Sequence, residues 1–585
     1  MDAQDAMTRE AAVPALLEQL AAEDRSRVAA RLRIRDLARG EVLTEAGTPA
    51  QSLFFTRHGQ FRAGETFYGP GRMIDAEAFF SRGIHPDTVI ATRTAQVFEL
   101  DRPSHDALLA EVPGLAPALL EGFAGQVRTA GAPQARRPSV LVVPLCALGQ
   151  RVAFLSALRN RMASTETRLL EVPQDDATDI PSFLGARAAE GRQVAFLADD
   201  PGYRRLQSWM DHADEVIIVT EGRAAELRDE AVLRQLLAAF PSEQRRLVRL
   251  HPERQGVVSG TAEWLAKIPA AMHHHVCLKD NDDVDALLRF ITGRAVGLVG
   301  GGGGGLGAAY SGICRALGEE GISFDYLLGT SVGSSMLAGL AYLGDHRTLS
   351  EGTEYIFVRQ RSFKKFTLPR HSLLDHKTFD RAMQDTYGAA TRIEDCWKPY
   401  AAIATNVSAR RTEVIRTGPL WQAVRASTAV PCVLPPFVTD DGMMLIDGSI
   451  MNDAPVDVMR QIKAGPNVVV HFGRPGVRRM KIDYDELPGR AGVLRSFLPV
   501  RRRRRSAPGI LSMLYRTMMV HQTYDIRPEP GDLVLNPPSF PGASMVNFDN
   551  HKKVTAEAYD WTLKELATRH ATGQDSALLR AGRAA

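Results

Sequence analysis

Between residues 295 and 344 the chain reads AVGLVGGGGGGLGAAYSGICRALGEEGISFDYLLGTSVGSSMLAGLAYLG, and this stretch restricts the fold more tightly than any other. Ala295 to Val299 predicts a short buried strand, residues 300 to 305 are all glycine, and Ile313, Ala316 and Leu317 fall at helical spacing. The order is strand, glycine loop, helix. A second strand is predicted from Phe324 to Leu328. It runs into Gly329-Thr330-Ser331-Val332-Gly333, after which Met336, Leu337, Leu340 and Leu343 restore the helical period. Ser331 therefore falls on a sharp strand-to-helix turn.

Such a turn holds its central residue in a strained backbone conformation. Glycines two residues to either side, here Gly329 and Gly333, let strand and helix approach closely, and the hydroxyl is lifted out of the sheet. The glycine loop upstream offers backbone N–H groups at a helix N-terminus, where an oxyanion formed on an attacked carbonyl is stabilised. A G-x-S-x-G pentad alone arises often by chance. The loop also satisfies G-x-G-x-x-G at Gly302, Gly304 and Gly307, so a dinucleotide-binding loop competes with the hydrolase reading. No Gly-Lys-Ser/Thr follows, which rules out a Walker loop.

A third segment, Ala423 to Val456, contains ASTAVPCVLPPF and then LIDGSIMNDAPV. With all three segments in this order the chain resembles the patatin-like phospholipases. The resemblance implies a serine and aspartate dyad without histidine, with Ser331 as nucleophile and Asp447 as its base. It implies an oxyanion hole from Gly302, Gly303, Gly304, Gly305, Leu306 and Gly307, an elbow framed by Gly329 and Gly333, and positioning roles for Ser427, Pro431, Asn452 and Pro455. Two departures from the family pattern are visible: Leu306 stands where many members carry Arg or Lys, and Asp447-Gly448-Ser449 replaces Asp-Gly-Gly or Asp-Gly-Ala. Without that basic residue the backbone donors carry the oxyanion role. His471 follows the apolar run Val468 to Val470 and nominally completes a Ser, Asp, His order, but the Asp-Gly signature favours the dyad.

At 585 residues the chain is too long for one core. No N-terminal stretch joins a basic start to an apolar run, and no window holds 18 uninterrupted apolar residues, so secretion and membrane spanning are unsupported. Cys146, Cys277, Cys314, Cys396 and Cys432 are scattered without C-x-x-C spacing, which fits a reducing compartment and offers no metal site. The formal charge of +3 is nearly balanced, so any basic partner surface is local.

Residues 1–130 are predicted to be helical at both ends, with short strands Glu41 to Thr44, Leu53 to Thr56 and Gln60 to Arg62 between turn glycines, a small β-barrel or jelly roll. The strings GEVLTEAGTPAQSLFFTRHGQF and VFELDRPSHDALLAEVPGLAPALL resemble cyclic-nucleotide-binding domains. In that family a Gly-Glu pair and an Arg meet the cyclic phosphate. Here Asp75-Ala76 stands near the place of the pair, Pro86 takes the place of the Arg, and Arg93-Thr94-Ala95 falls too late. The expected domain is degenerate, and a cyclic nucleotide is not its expected ligand.

A linker is predicted at Thr129 to Pro138, followed over 139–290 by apolar runs alternating with helix-length segments: SVLVVPL, TRLLEVP, QVAFLADD, DEVIIVT and RRLVRLHP. That pattern predicts a parallel α/β spacer. His273, His274 and His275 are successive, and on a strand neighbours point to opposite faces, so a structural role is expected rather than a metal site. The segment from LHPERQG to the glycine run resembles the one preceding the catalytic domain in neuropathy-target-esterase-like proteins, a subgroup that hydrolyses lysophospholipid and phospholipid esters. The catalytic domain is expected over 293–567 and a flexible tail over 568–585.

Arg501, Arg502, Arg503, Arg504 and Arg505 follow Val493, Leu494, Phe497 and Leu498. A solvated basic loop is the default reading; the functional alternative is an interfacial element whose arginines meet anionic head groups. No aromatic residues interleave with the arginines, so nucleic acid is not an expected partner. The fold class expected is α/β: a patatin-like central sheet flanked by helices, preceded by the α/β spacer and the N-terminal β-barrel with flanking helices. The function expected is a serine lipid acyl hydrolase acting on phospholipid or lysophospholipid through an acyl-serine, needing neither cofactor nor metal. Its expected location is the cytoplasm, with peripheral attachment to the inner face of a membrane as the setting a lipid substrate calls for. The rival is a non-enzymatic nucleotide sensor using the barrel and the glycine loop.

Overall fold

The computed structural model describes residues 20–64, 66–130, 138–164, 169–175, 178–200, 202–254, 256, 258–344, 346–368, 370–473, 528–540 and 547–573, with 489, 513, 526 and 578 as single positions. The chain forms two compact units. One runs through Arg254 and resumes at Glu263–Gly293; the other takes in the excursion between them and the described chain from Arg294 onward.

The first unit opens with a helix, Ala22–Arg31, and two four-stranded antiparallel sheets. Strands Arg33–Leu37, Ala95–Asp101, Ser52–His58 and Met73–Ile74 form one sheet, and Val42–Thr44, Val89–Ala91, Phe61–Ala63 and Thr66–Tyr68 the other. Inward residues of both, among them Leu37, Phe54, Phe61, Ile74, Val89 and Val97, share one apolar core, as alternation along half-buried strands requires. Helices Arg102–Glu111 and Leu115–Ala130 close the domain. The linker expected at 129–138 lies largely outside the described residues.

The spacer follows as a six-stranded parallel sheet ordered Leu169–Glu171, Gln193–Leu197, Val140–Pro144, Glu215–Glu221, Arg245–His251, Met272–Cys277. The last strand carries the three histidines, and it escaped the apolar pattern because histidine occupies half of it. His251 Nε2 lies 2.9 Å from His275 Nδ1 across the ladder, and His274 is buried, its imidazole held far below the usual range by desolvation. Barrel and spacer belong to one unit because buried polar groups fasten them. Arg93 donates to Ser139 Oγ at 3.0 Å and Asp214 Oδ2 at 3.3 Å, and Arg39 donates to the carbonyls of Met210 at 2.9 Å and Ala213 at 3.0 Å.

The second unit is built on an eight-stranded mixed sheet. Its path runs Phe437–Val438, Met444–Asp447, Tyr400–Asn406, Tyr326–Thr330, Gly297–Gly300, Asn467–Val470, Leu533–Leu535, with Arg411–Ile415 paired beside Tyr400–Asn406. The two strands predicted around the glycine loop each begin two residues later than expected. Asp325 Oδ2 accepts the Val296 amide at 2.8 Å while the Val296 carbonyl accepts the Asp325 amide at 2.7 Å, so a side chain supplies one of the bonds at the strand entry. Helix His551–Ala571 lies across helix Ala309–Glu319, where a Cβ on Gly312 would come within 2.1 Å of the Thr555 carbonyl oxygen. That helix corrects the boundary expected at 567. Residues 568–571 remain helical because Arg569 donates to Glu565 at 2.8 Å and to the Val534 carbonyl at 2.7 Å.

Candidate active site

The sheet register brings the two key side chains together. Thr330 pairs with Ile403, and the next residue of that strand, Ala404, pairs with Asp447. Ser331, directly after Thr330, and Asp447, at the end of its own strand, therefore meet where Tyr400–Asn406 passes from a parallel neighbour to an antiparallel one. Ser331 Oγ donates to Asp447 Oδ2 at 2.6 Å.

Ser331 sits at φ 53°, ψ −128°, at the N-cap of helix Val332–Leu343. A non-glycine residue in that region is strained and persists only where its surroundings hold it. Ser427 does so: its Oγ accepts the Ser331 amide at 3.0 Å and donates to the Ile403 carbonyl at 2.6 Å. Thr330 Oγ1 donates to the Asn452 carbonyl at 3.0 Å. The elbow glycines are sterically required, since a Cβ on Gly333 would fall 2.4 Å from the Gly300 oxygen and one on Gly329 2.5 Å from the Ser334 amide nitrogen.

Asp447 is 2 % exposed. Its Oδ1 accepts the Ser449 amide at 2.8 Å and its carbonyl the Thr405 hydroxyl at 2.9 Å. Burial pushes its pKa up to about 7, against the opposing pull of the hydrogen bonds from Ser331 and Ser449. The carboxyl is thus poised between proton acceptor and donor near neutral pH.

Of the six loop residues singled out above, Gly303 and Gly304 line the cleft together with Ser331. Gly302 directs its amide to Asp453 Oδ1 at 3.2 Å, and Leu306 directs its amide to the Gly303 carbonyl at 3.3 Å as the 3₁₀ turn Gly304–Ala308 begins. Gly305 and Gly307 are buried, and a Cβ on Gly307 would collide with Val332 at 2.3 Å. Leu306 packs on the core instead of presenting a charge.

Sequence reasoning passed over Asp453, which follows Asn452 in the motif. Its second oxygen lies 3.1 Å from His471 Nε2, so His471 pairs with Asp453 rather than with Asp447. The signal was available in a second acid six positions after Asp447, but nothing local distinguishes Asp453 from a surface carboxylate.

The cleft is walled by Phe357, Phe363, Phe379 and Phe548 together with Val332, Val430, Val433 and Ile450. Phe357 and Phe548 stack with centroids 4.0 Å apart, and Phe363 and Phe379 stand 5.2 Å apart. The lining fits an apolar ligand with a polar reacting end. Arg501 to Arg505 lie outside the described residues.

In the first unit Asp75, at φ 48°, caps the short helix Ala76–Phe80, and its carboxylate takes His85 Nδ1 at 2.8 Å and the Tyr68 hydroxyl at 3.4 Å. Arg93 is spent on Ser139 and Asp214.

Residues 298–460 match the family model described as Patatin-like phospholipase, and residues 34–112 match the one described as Cyclic nucleotide-binding domain. The chain therefore carries a patatin-like phospholipase domain behind a cyclic-nucleotide-binding-type domain. It is 26% identical over 470 residues to "Neuropathy target esterase sws" of Drosophila melanogaster, a match covering 69% of this chain and 33% of that one. It is 30% identical over 326 residues to "Patatin-like phospholipase domain-containing protein 7" of Mus musculus, covering 50% of this chain and 24% of that one. The matched regions thus span a third and a quarter of those relatives' lengths. Among solved structures, a cyclic nucleotide-binding domain from Methylobacillus flagellatus aligns at 15% identity and TM-score 0.20, covering 21% of this chain and 82% of that one. Among the described residues no helix is long and apolar enough to cross a membrane.

Proposed function

We propose that this chain is a serine lipid acyl hydrolase that cleaves carboxylic esters of lysophospholipids or phospholipids. The observation that carries the reading is the 2.6 Å hydrogen bond from Ser331 Oγ to the buried Asp447 at the floor of a phenylalanine-walled cleft. As Ser331 Oγ bonds to the acyl carbonyl carbon, Asp447 takes its proton, and the electron pair of the carbonyl moves onto oxygen. The amides of Gly303 and Gly304 stabilise that oxyanion, each donor being worth roughly a hundredfold in rate. Collapse breaks the ester C–O bond, and the departing alcohol leaves with the proton from Asp447. Water then gives a proton to Asp447 while attacking the acyl-serine, and the proton returns to Ser331 Oγ as the fatty acid is released. A base with a pKa near neutrality suits both half-reactions.

The substrate class is read from the lining, because aromatic walls accept an acyl chain and leave a head group at the mouth. The setting proposed is cytoplasmic, with peripheral attachment to the inner face of a membrane. The barrel is proposed not to take a cyclic nucleotide. A buried carboxylate at Asp75 repels a phosphate, and Arg93 is committed elsewhere.

The test is release of fatty acid from lysophosphatidylcholine by the purified chain, beside Ser331→Ala and Asp447→Asn. Activity lost in both variants supports the dyad; activity retained by either one refutes it.

A further inference from the structure

The two most exposed large apolar side chains among the described residues are Leu368 and Phe366, 87% and 77% exposed. They stand two positions apart on one loop. Isolated apolar side chains on a surface are ordinary, but a pair this exposed within three residues, at the rim of an apolar cleft, asks for a covering partner.

The loop is a hairpin rooted in the cleft wall. Phe366 bridges Leu374 in antiparallel fashion, Thr367 donates to the Leu373 carbonyl at 3.0 Å, and Asp375 donates to the Lys365 carbonyl at 2.8 Å. The outgoing arm leaves from Phe363, which lines the cleft. The returning arm is bonded to a second stretch of the wall, Leu373 donating to the Cys432 carbonyl at 2.8 Å and Leu374 to the Val433 carbonyl at 3.0 Å, and Val433 also lines the cleft. Both ends of the hairpin are thus tied to residues that wall the space next to Ser331.

Charge sharpens the reading. From residue 361 to 374 the chain carries Arg361, Lys364, Lys365 and Arg370 and no carboxylate. All four cations are exposed; Lys364 pairs with Asp549 at 2.7 Å. Exposed apolar tips on a segment that carries only cations match one chemistry well: acyl chains beneath anionic head groups. A protein partner of any acidic kind would satisfy the cations but has no need of side chains that protrude so far from their own surface.

We infer that the hairpin bearing Phe366 and Leu368 docks the cleft mouth on an anionic bilayer, the apolar side chains entering the acyl boundary and Lys365 and Arg370 meeting phosphates. This surface rests on the hydrolase reading for its purpose but not for its test. It is built from residues other than Arg501 to Arg505.

The experiment measures co-sedimentation of the full chain, carrying Ser331→Ala to prevent turnover, with vesicles of phosphatidylcholine alone and of phosphatidylcholine with phosphatidylglycerol. Phe366→Ser with Leu368→Ser should weaken binding to both, by about tenfold or more, as loss of two buried apolar groups requires. Lys365→Glu with Arg370→Glu should weaken binding only where phosphatidylglycerol is present, and added salt should do the same. In the Ser331 background each double variant should hydrolyse a soluble short-chain ester as the parent does, which also reports folding. Unchanged vesicle binding in both double variants overturns the inference. A parent that binds vesicles through this hairpin yet hydrolyses no ester would uphold the surface and remove the hydrolase reading.

Discussion

Asp453 holds the Gly302 amide at 3.2 Å with one carboxylate oxygen while the other lies 3.1 Å from His471 Nε2. Its negative charge also adds, as a minor cause, to the raised pKa of Asp447. Asp453→Asn keeps an acceptor for Gly302 and removes the charge. The acid limb of the rate profile should therefore move to lower pH with kcat nearly intact. Asp453→Ala removes the anchor of the loop and should lower kcat of order tenfold, below the roughly hundredfold of losing a donor itself. Equal kcat in both variants would show that the loop does not depend on this contact.

The raised pKa of Asp447 makes a prediction about rate. The base must be ionised to accept the Ser331 proton, so kcat/KM for a soluble ester should rise with pH and level off above a midpoint near 7. A midpoint in the ordinary carboxylate range would contradict the burial argument.

The same shift predicts a stability effect. The folded state holds the Asp447 proton up to about pH 7, whereas the unfolded chain releases it near 3.8. The stabilising contribution of the protonated form is complete below 3.8 and is lost as pH rises through about 7. Asp447→Asn avoids that loss. Denaturant titration should find it more stable than the parent above pH 7, by up to about 4 kcal/mol, with the difference vanishing towards pH 3.8.

Asp214 accepts the Ser139 amide at 2.7 Å and Arg93 at 3.3 Å, with both members of the ion pair buried. Asp214→Ala leaves a buried guanidinium uncompensated. Unfolding of the first unit should shift by about 3–5 kcal/mol in a denaturant titration; a shift below 1 kcal/mol, the range of a surface pair, would count against a fastening role.

Calorimetric titration with cyclic AMP and cyclic GMP should give no binding heat, because Asp75 and His85 fill each other's hydrogen-bonding needs at 2.8 Å. A saturable heat from either nucleotide would reverse the reading of the barrel.

The site was legible because its parts are backbone demands. The glycines at 329 and 333 are dictated by contacts of 2.5 and 2.4 Å, and a run of such demands leaves a visible string. Asp447 was legible only through its motif, since the register that sets it beside Ala404 depends on a strand more than forty residues upstream. Asp453 and the hairpin at 366–368 were not read, the first because a carboxylate that anchors a loop looks like a surface acid in sequence. The second was missed because Phe366 and Leu368 look like core residues until their exposure is seen. The strand Met272–Cys277 was hidden for the same kind of reason: two of its buried positions are histidines, His274 and His275, which break the apolar pattern.

The central claim is that Ser331 is made nucleophilic by Asp447. The most direct measurement is covalent capture: the chain is exposed to a long-chain alkyl fluorophosphonate and the modified residue is located by peptide mass spectrometry. The account predicts a single adduct on Ser331, absent in Ser331→Ala and formed at least a hundredfold more slowly in Asp447→Asn. An adduct on another residue, or labelling of Asp447→Asn at the parental rate, would contradict it.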